Sequence, residues 1–118
     1  MQFFTENEFN CKDGCGCGYK EMDITLLEML DKVRYRLGEP IIISSAYRCY
    51  THNRNIGGVN NSSHTKGLAV DIKCTNNNYR FKLLKVLFEV GFKRIELAPS
   101  WIHVDIDSTK PQNIAFYK

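Results

Sequence analysis

Residues 101–107, WIHVDID, alternate apolar and polar side chains with a period of two. That pattern fits a strand with one face in a core and little else. Ile102, Val104 and Ile106 fall on the buried face, and Trp101, His103, Asp105 and Asp107 on the other. Residues 68–73, LAVDIK, repeat the pattern, with Leu68, Val70 and Ile72 facing one way and Ala69, Asp71 and Lys73 the other. Two strands with aliphatic faces need a cover, and the rest of the chain offers amphipathic helices to provide it.

Asp23 is placed to cap a helix through Leu37, with Leu26, Leu30, Val33 and Leu37 on one face and Gly38 at its end. A second helix fits Tyr79 to Val90, capped from the run Asn76–Asn78 and closed by Gly91. Its expected apolar stripe is Phe81, Leu84 and Phe88, joined by Leu87. IIISSAY supplies a strand at about 41–45, residues 93–97 and 101–106 supply two more, and IAFYK offers a last one. FTENEF suits a short helix and CYTHNRNIGG one helical turn. Strands grouped near the end with helices set apart imply an α+β fold: a small antiparallel sheet with helices packed on it. A length of 118 residues without repeats or linkers implies one domain, 1–118.

The composition excludes more than it selects. An apolar fraction of 43% and a charged fraction of 25% are those of an ordinary globular chain. A net charge of +3 suits an anionic partner such as a bacterial wall but singles out none, and no nucleic-acid partner is expected. No segment has the apolar length of a membrane span, and MQFFTENEFN lacks the basic and apolar regions of a secretory signal. The expectation is a monomer, cytoplasmic as synthesised. Five cysteines, an odd number without a signal, argue against a disulfide framework. Cys11, Cys15 and Cys17 sit in CKDGCGC, which reads either as a metal site or as a glycine-rich turn with reduced thiols. The C-x3-C-x-C spacing has no paired second half, which favours the turn. Cys74 reads as a small buried residue.

The chemistry gathers in SSHTKGLAVDI, where His64 and Asp71 lie seven residues apart. Taken singly, His64 reads as readily as a solvated loop residue, and His103 as a structural histidine. Two histidines and a carboxylate together make the three-ligand pattern of a catalytic zinc site, with a fourth position left for water. Gly67 and Ala69 are expected to keep the approach to that metal uncluttered. His52 reads as a surface residue.

Three stretches carry a resemblance: SSAYR, then Ser62-Ser-His64-Thr-Lys-Gly67-Leu-Ala69-Val-Asp71, then Trp101-Ile-His103-Val-Asp. Together they resemble the zinc D-alanyl-D-alanine carboxypeptidase family, which has phage-encoded members and shares its fold with the Hedgehog signalling domain. The likeness covers roughly residues 38–107, and FTENEF with its cysteine-bearing turn is similar to the start of small phage-type members. It implies one Zn2+ per chain held by His64, Asp71 and His103. It also implies a peptidoglycan stem peptide as substrate, gripped through a carboxylate or carbonyl by Arg48, whose planar guanidinium suits a bidentate hold. Ser62 or Ser63 would add a hydrogen bond to the substrate or to the loop. Phage lytic members reach the bacterial wall without a signal of their own, so the wall is the expected place of action.

The chain departs from the family pattern at the base. Many members carry an acid three positions before the last zinc histidine, and Ser100 stands there; some carry a histidine two positions before, and Trp101 stands there. A serine cannot take a proton from water and pass it to a leaving amine. Glu96, on the preceding strand, is the nearest alternative, and Hedgehog-type members also place a glutamate early. Asp105 is a second candidate, or it orients a ligand instead. Trp101 would form an apolar wall against a D-alanine methyl. Two functions follow: a zinc peptidase, either a D-Ala-D-Ala carboxypeptidase or an endolysin-type endopeptidase, or a zinc-bearing binding or structural module with little catalysis.

Overall fold

The computed structural model describes residues 2–118. The strands are β1 (Ile43–Ser45), β2 (Ala69–Lys73), β3 (Arg94–Leu97), β4 (Trp101–Asp105) and β5 (Ile114–Tyr117), in one sheet of order β1-β2-β4-β3-β5. Helices α1 (Ile24–Leu37), α2 (Tyr50–Asn55) and α3 (Asn77–Val90) accompany them, with single 3-10 turns at Glu6–Phe9, Tyr19–Glu21 and Ser63–Lys66.

α1 begins where Asp23 accepts hydrogen bonds from the backbone N–H groups of Thr25 (2.8 Å) and Leu26 (3.2 Å). Two of the otherwise unpartnered N–H groups are thereby satisfied, a contribution of about 1 kcal/mol. Gly38, left-handed at φ 70°, closes the helix. Leu26, Leu27, Leu30 and Val33 are buried, much as the sequence stripe implies.

α3 starts at the Asn76 cap, whose side chain accepts from Tyr79 N–H at 2.9 Å. Only part of its expected stripe packs: Leu87 is buried and Leu84 lies against the core. Leu83, Val86 and Leu87 are buried, whereas Phe81 and Phe88 are 71% and 55% exposed. The helix carries two apolar stripes on opposite sides, and periodicity cannot rank them. The Tyr79 hydroxyl donates to the Pro40 carbonyl at 2.9 Å and ties the start of the helix to the segment before β1.

The sheet is antiparallel through β1, β2, β4 and β3, but β5 runs parallel to β3, so it is mixed rather than antiparallel throughout. The cause is local. β2 already occupies one edge of β4, so the returning chain can reach only the free edge of β3. The end of antiparallel β4 lies beside the start of β3, so the chain enters that edge at the same end as β3 and runs alongside it.

Val70, Ile72, Ile95, Ile102 and Val104 point into a core shared with α1, α3, Phe9 and Phe92. The alternate residues form a row on the opposite face. Ser45 pairs with Asp71, Asp71 with His103, His103 with Glu96 and Glu96 with Phe116. One line of side chains therefore crosses all five strands, each step about 4.8 Å.

Gly67 has a different reason from the one its motif suggests. It ends the 3-10 turn at φ 71°, and a Cβ there would collide with the Glu21 carbonyl oxygen. Its own carbonyl accepts from Asp23 N–H at 2.9 Å, so the loop bearing His64 is seated against the N-terminal segment, backbone to backbone. We expect Gly67→Ala to destabilise the fold by about 3 kcal/mol, combining left-handed strain with overpacking against an unyielding carbonyl. Urea denaturation would measure this as a lowered midpoint at an unchanged slope.

Candidate metal centre

The loop before β2 is held by polar contacts on every side. The Ser62 hydroxyl accepts His64 N–H at 3.2 Å, and Thr65 Oγ1 donates to the Ser62 carbonyl at 2.6 Å. Ser63 Oγ and Lys66 Nζ donate to Asp107 Oδ2 at 2.7 and 3.0 Å. Asp107 is fully buried and lies beyond the end of β4, so it anchors this loop instead of sharing the face of His103. Ser62 is buried and its hydroxyl caps the turn, so it serves the loop and not the cleft.

His64 is 3% exposed. Its Nδ1 lies 2.7 Å from the Ala46 carbonyl oxygen, which can only accept, so Nδ1 carries the proton and Nε2 is left with a lone pair for a metal. That Nε2 is 3.2 Å from Asp71 Oδ1. His103 is arranged the other way round: Nε2 meets Asp105 Oδ2 at 2.7 Å, and Nδ1 lies 2.9 Å from Asp71 Oδ1. The two rings stand edge to face with centroids 5.2 Å apart. One nitrogen of each histidine is thus engaged outward, and the other converges on one carboxylate oxygen.

The three donor atoms lie within 4.8 Å of one another. A tetrahedral zinc ion with bonds near 2.0 Å needs its nitrogen and oxygen ligands about 3.3 Å apart. The observed 3.2 Å matches that spacing and 2.9 Å is somewhat shorter, and two imidazoles with one carboxylate are a donor set zinc accepts. The outward bonds to Ala46 and Asp105 fix tautomer and ring orientation, as zinc-binding histidines require.

Burial works against the charged form of His103, but hydrogen bonds to Asp105 and Asp71 and the charges of both carboxylates outweigh it. The imidazole is pushed up to about 9. Burial likewise opposes ionisation of Asp71, yet its contacts with His103 and His64 hold it well below the usual carboxylate range. Without a cation, a proton on His103 joins Arg48 and Arg94 in facing the buried carboxylates.

Arg48 reaches the same centre. Its Nη2 meets Asp71 Oδ2 at 3.3 Å, its Nε donates to Ser45 Oγ at 3.0 Å and its Nη1 to Asn53 Oδ1 at 3.4 Å. Three of its five N–H donors are used in this way.

A cleft of about 260 Å³ opens over the donors, lined among others by Arg48, Glu96, Trp101, His103, Lys110 and Phe116. Glu96 is half-buried and stands beside His103 in the strand register. Ser100 is exposed on the β3–β4 turn. Asp105 lines the cleft but is 1% exposed. Its Oδ2 takes both His103 and Arg94 (3.1 Å), and its Oδ1 takes Asp107 N–H (3.1 Å). With both oxygens occupied, Asp105 orients His103 and is not free to act as a base.

Trp101 lines the cleft as expected, with Lys118 Nζ 5.6 Å from its ring centroid. His52 is half-buried and not among the donors. Sequence reasoning missed Arg94, the Ala46 carbonyl and the anchoring role of Asp107. The one signal it had was arginine two residues before Glu96 on the same strand face.

The sequence model for Peptidase M15 matches residues 2–105. No curated protein matches the chain.

In the metal-free chain the His103 ring should titrate near 9, followed by its carbon-bound ring protons in NMR. Its contact stabilises the fold fully below the unfolded value of about 6.5, and that contribution is lost as pH rises through 9. Asp105→Asn should bring the midpoint down. Zinc loading should abolish the titration across this range, because the metal replaces the proton on Nδ1.

Proposed function

The chain belongs to the peptidase M15 family, and we propose that it is a zinc-dependent peptidase of peptidoglycan stem peptides, removing the terminal residue of D-Ala-D-Ala at the bacterial wall. The observation that carries this reading is the row Asp71–His103–Glu96, which puts metal donors and a free carboxylate side by side over one cleft. Zinc, when bound, supplies a Lewis acid that polarises the scissile carbonyl and acidifies water.

The remaining work falls to the chain's own residues. Glu96, with no hydrogen-bond partner among the described residues, takes a proton from the attacking water and returns it to the leaving amine. Arg48 keeps two N–H donors for the peptide, and Lys110 and Lys118 add positive charge at the same cleft. Arg48, Lys110 and Lys118, with Arg94 also lining the cleft, suit a free terminal carboxylate, which favours carboxypeptidase over endopeptidase action. Trp101 offers an apolar wall to the D-alanine methyl. Its neighbour Ser100, which stands where relatives have their acid, favours one rival: a zinc-bearing module of the same fold that binds without cutting.

Purified pentapeptide muropeptides incubated with the zinc-loaded chain should lose a single alanine by mass spectrometry, and a chelator should block the loss. Glu96→Gln should lower the rate by roughly 10²–10⁴-fold with zinc content unchanged. Release of a longer fragment would make the enzyme an endopeptidase. Intact substrate with wild-type and variant alike would leave the binding module as the surviving account.

A further inference from the structure

Away from the histidine centre, four further donors converge. Cys11, Asp13 and Cys15 come from the N-terminal segment and Cys49 from the start of α2, and one donor atom from each lies within 4.8 Å of the others. We propose that Cys11, Asp13, Cys15 and Cys49 form a second metal site, a structural one, for a soft divalent cation of the zinc class. The proposal is independent of the peptidase reading.

The spacing is the first argument. Cys11 Sγ and Cys49 Sγ are 3.7 Å apart, 38 residues apart in sequence. Two thiolates on a tetrahedral zinc ion at 2.3 Å stand about 3.8 Å apart, and a disulfide holds its sulfurs at about 2.05 Å. Asp13 fills the space between them, with Oδ1 3.2 Å from Cys11 Sγ and Oδ2 2.8 Å from Cys49 Sγ. Three sulfurs and a carboxylate suit zinc far better than a hard cation such as magnesium.

The surrounding backbone is the second. Each of the three sulfurs accepts one backbone N–H: Cys11 from Cys49 (3.3 Å), Cys15 from Cys17 (3.4 Å) and Cys49 from His52 (3.4 Å). Such bonds stabilise thiolates and aim their lone pairs, the outer support that metal ligands need. Gly14 and Gly16, both left-handed at φ 76° and 86°, turn the chain on either side of Cys15. Cys11 N–H closes the loop on the Cys17 carbonyl at 2.8 Å.

Charge is the third. Among the described residues no ion pair engages Asp13, so the acidic group has no basic side chain to balance it.

The site has a place in the architecture. Cys49 follows Arg48, whose backbone N–H donates to the His64 carbonyl at 3.2 Å and whose guanidinium meets Asp71. A metal here would pin the N-terminal segment to the one turn of chain that presents Arg48.

The test uses the full chain, purified under reducing conditions and loaded first with zinc and then with cobalt(II). Metal analysis should find two zinc ions per chain. The cobalt form should show a thiolate-to-cobalt charge-transfer absorption in the near ultraviolet, which the histidine–aspartate centre cannot produce. Cys49→Ser should remove that band and one metal equivalent, while His64→Ala should keep the band and lose the other equivalent. Cys17→Ser should leave both intact. If Cys49→Ser does not fold, the wild-type spectrum still decides, and Asp13→Asn should weaken cobalt binding. A saturated wild-type chain without the band, or a resting Cys11–Cys49 disulfide in a non-reducing peptide map, would overturn the proposal. Failure to cleave muropeptides with the band present would count only against the peptidase reading.

Discussion

The centre depends on one buried carboxylate. Asp71 is 7% exposed, and both its oxygens are engaged: Oδ1 by His64 and His103, Oδ2 by Arg48. Such a group is costly to bury unless its partners are fixed in advance. Each partner is fixed by a different part of the fold: His64 by the Ala46 carbonyl, His103 by Asp105, Arg48 by Ser45 and Asn53. Loosening any of these supports would leave a buried negative charge without its match. The carboxylate therefore ties loop, sheet and α2 into one electrostatic unit, and a cation at the converging donors would complete it.

The sheet supplies the precision that this unit needs. His103 and Asp71 are 32 residues apart, yet strand pairing sets them opposite each other. Side chains on paired strands are held about 5 Å apart by the ladder itself, with no contribution from loop conformation. The core beneath, with Val70, Ile72, Ile102 and Val104 fully buried, locks the register, since a one-residue slip would turn every donor into the core. His64 alone comes from a loop. That loop is seated by Gly67 against the Glu21 carbonyl and by Ser63 and Lys66 on Asp107, so it too is rigid.

The sequence made the donor set legible because alternation on β2 and β4 puts Asp71 and His103 on the face away from the aliphatics. The α+β class and the α1 cap at Asp23 were readable for similar reasons, since both are local. What was not readable is pairwise and distant. The choice between two apolar stripes on α3 is made by packing, which buries Leu83, Val86 and Leu87 and leaves Phe81 and Phe88 exposed. The parallel β5 depends on which sheet edge β4 leaves free. The purpose of Gly67 is a carbonyl 46 residues earlier, and its motif gives no hint of it. Cys49 lies far from Cys11 and Cys15 in sequence, and only the fold brings them together.

The displaced acid shows why a motif and a site are different things. Ser100 sits three positions before His103, but on the exposed turn between β3 and β4. Glu96 is seven positions before His103 and nevertheless its direct neighbour, because an antiparallel hairpin folds the chain back on itself. Proximity to the metal donors can thus be met from the turn or from the paired strand. The paired strand places the carboxylate with the rigidity of the sheet and on the face that lines the cleft. The row across the strands thus carries an acid, Glu96, beside His103 although position 100 is a serine.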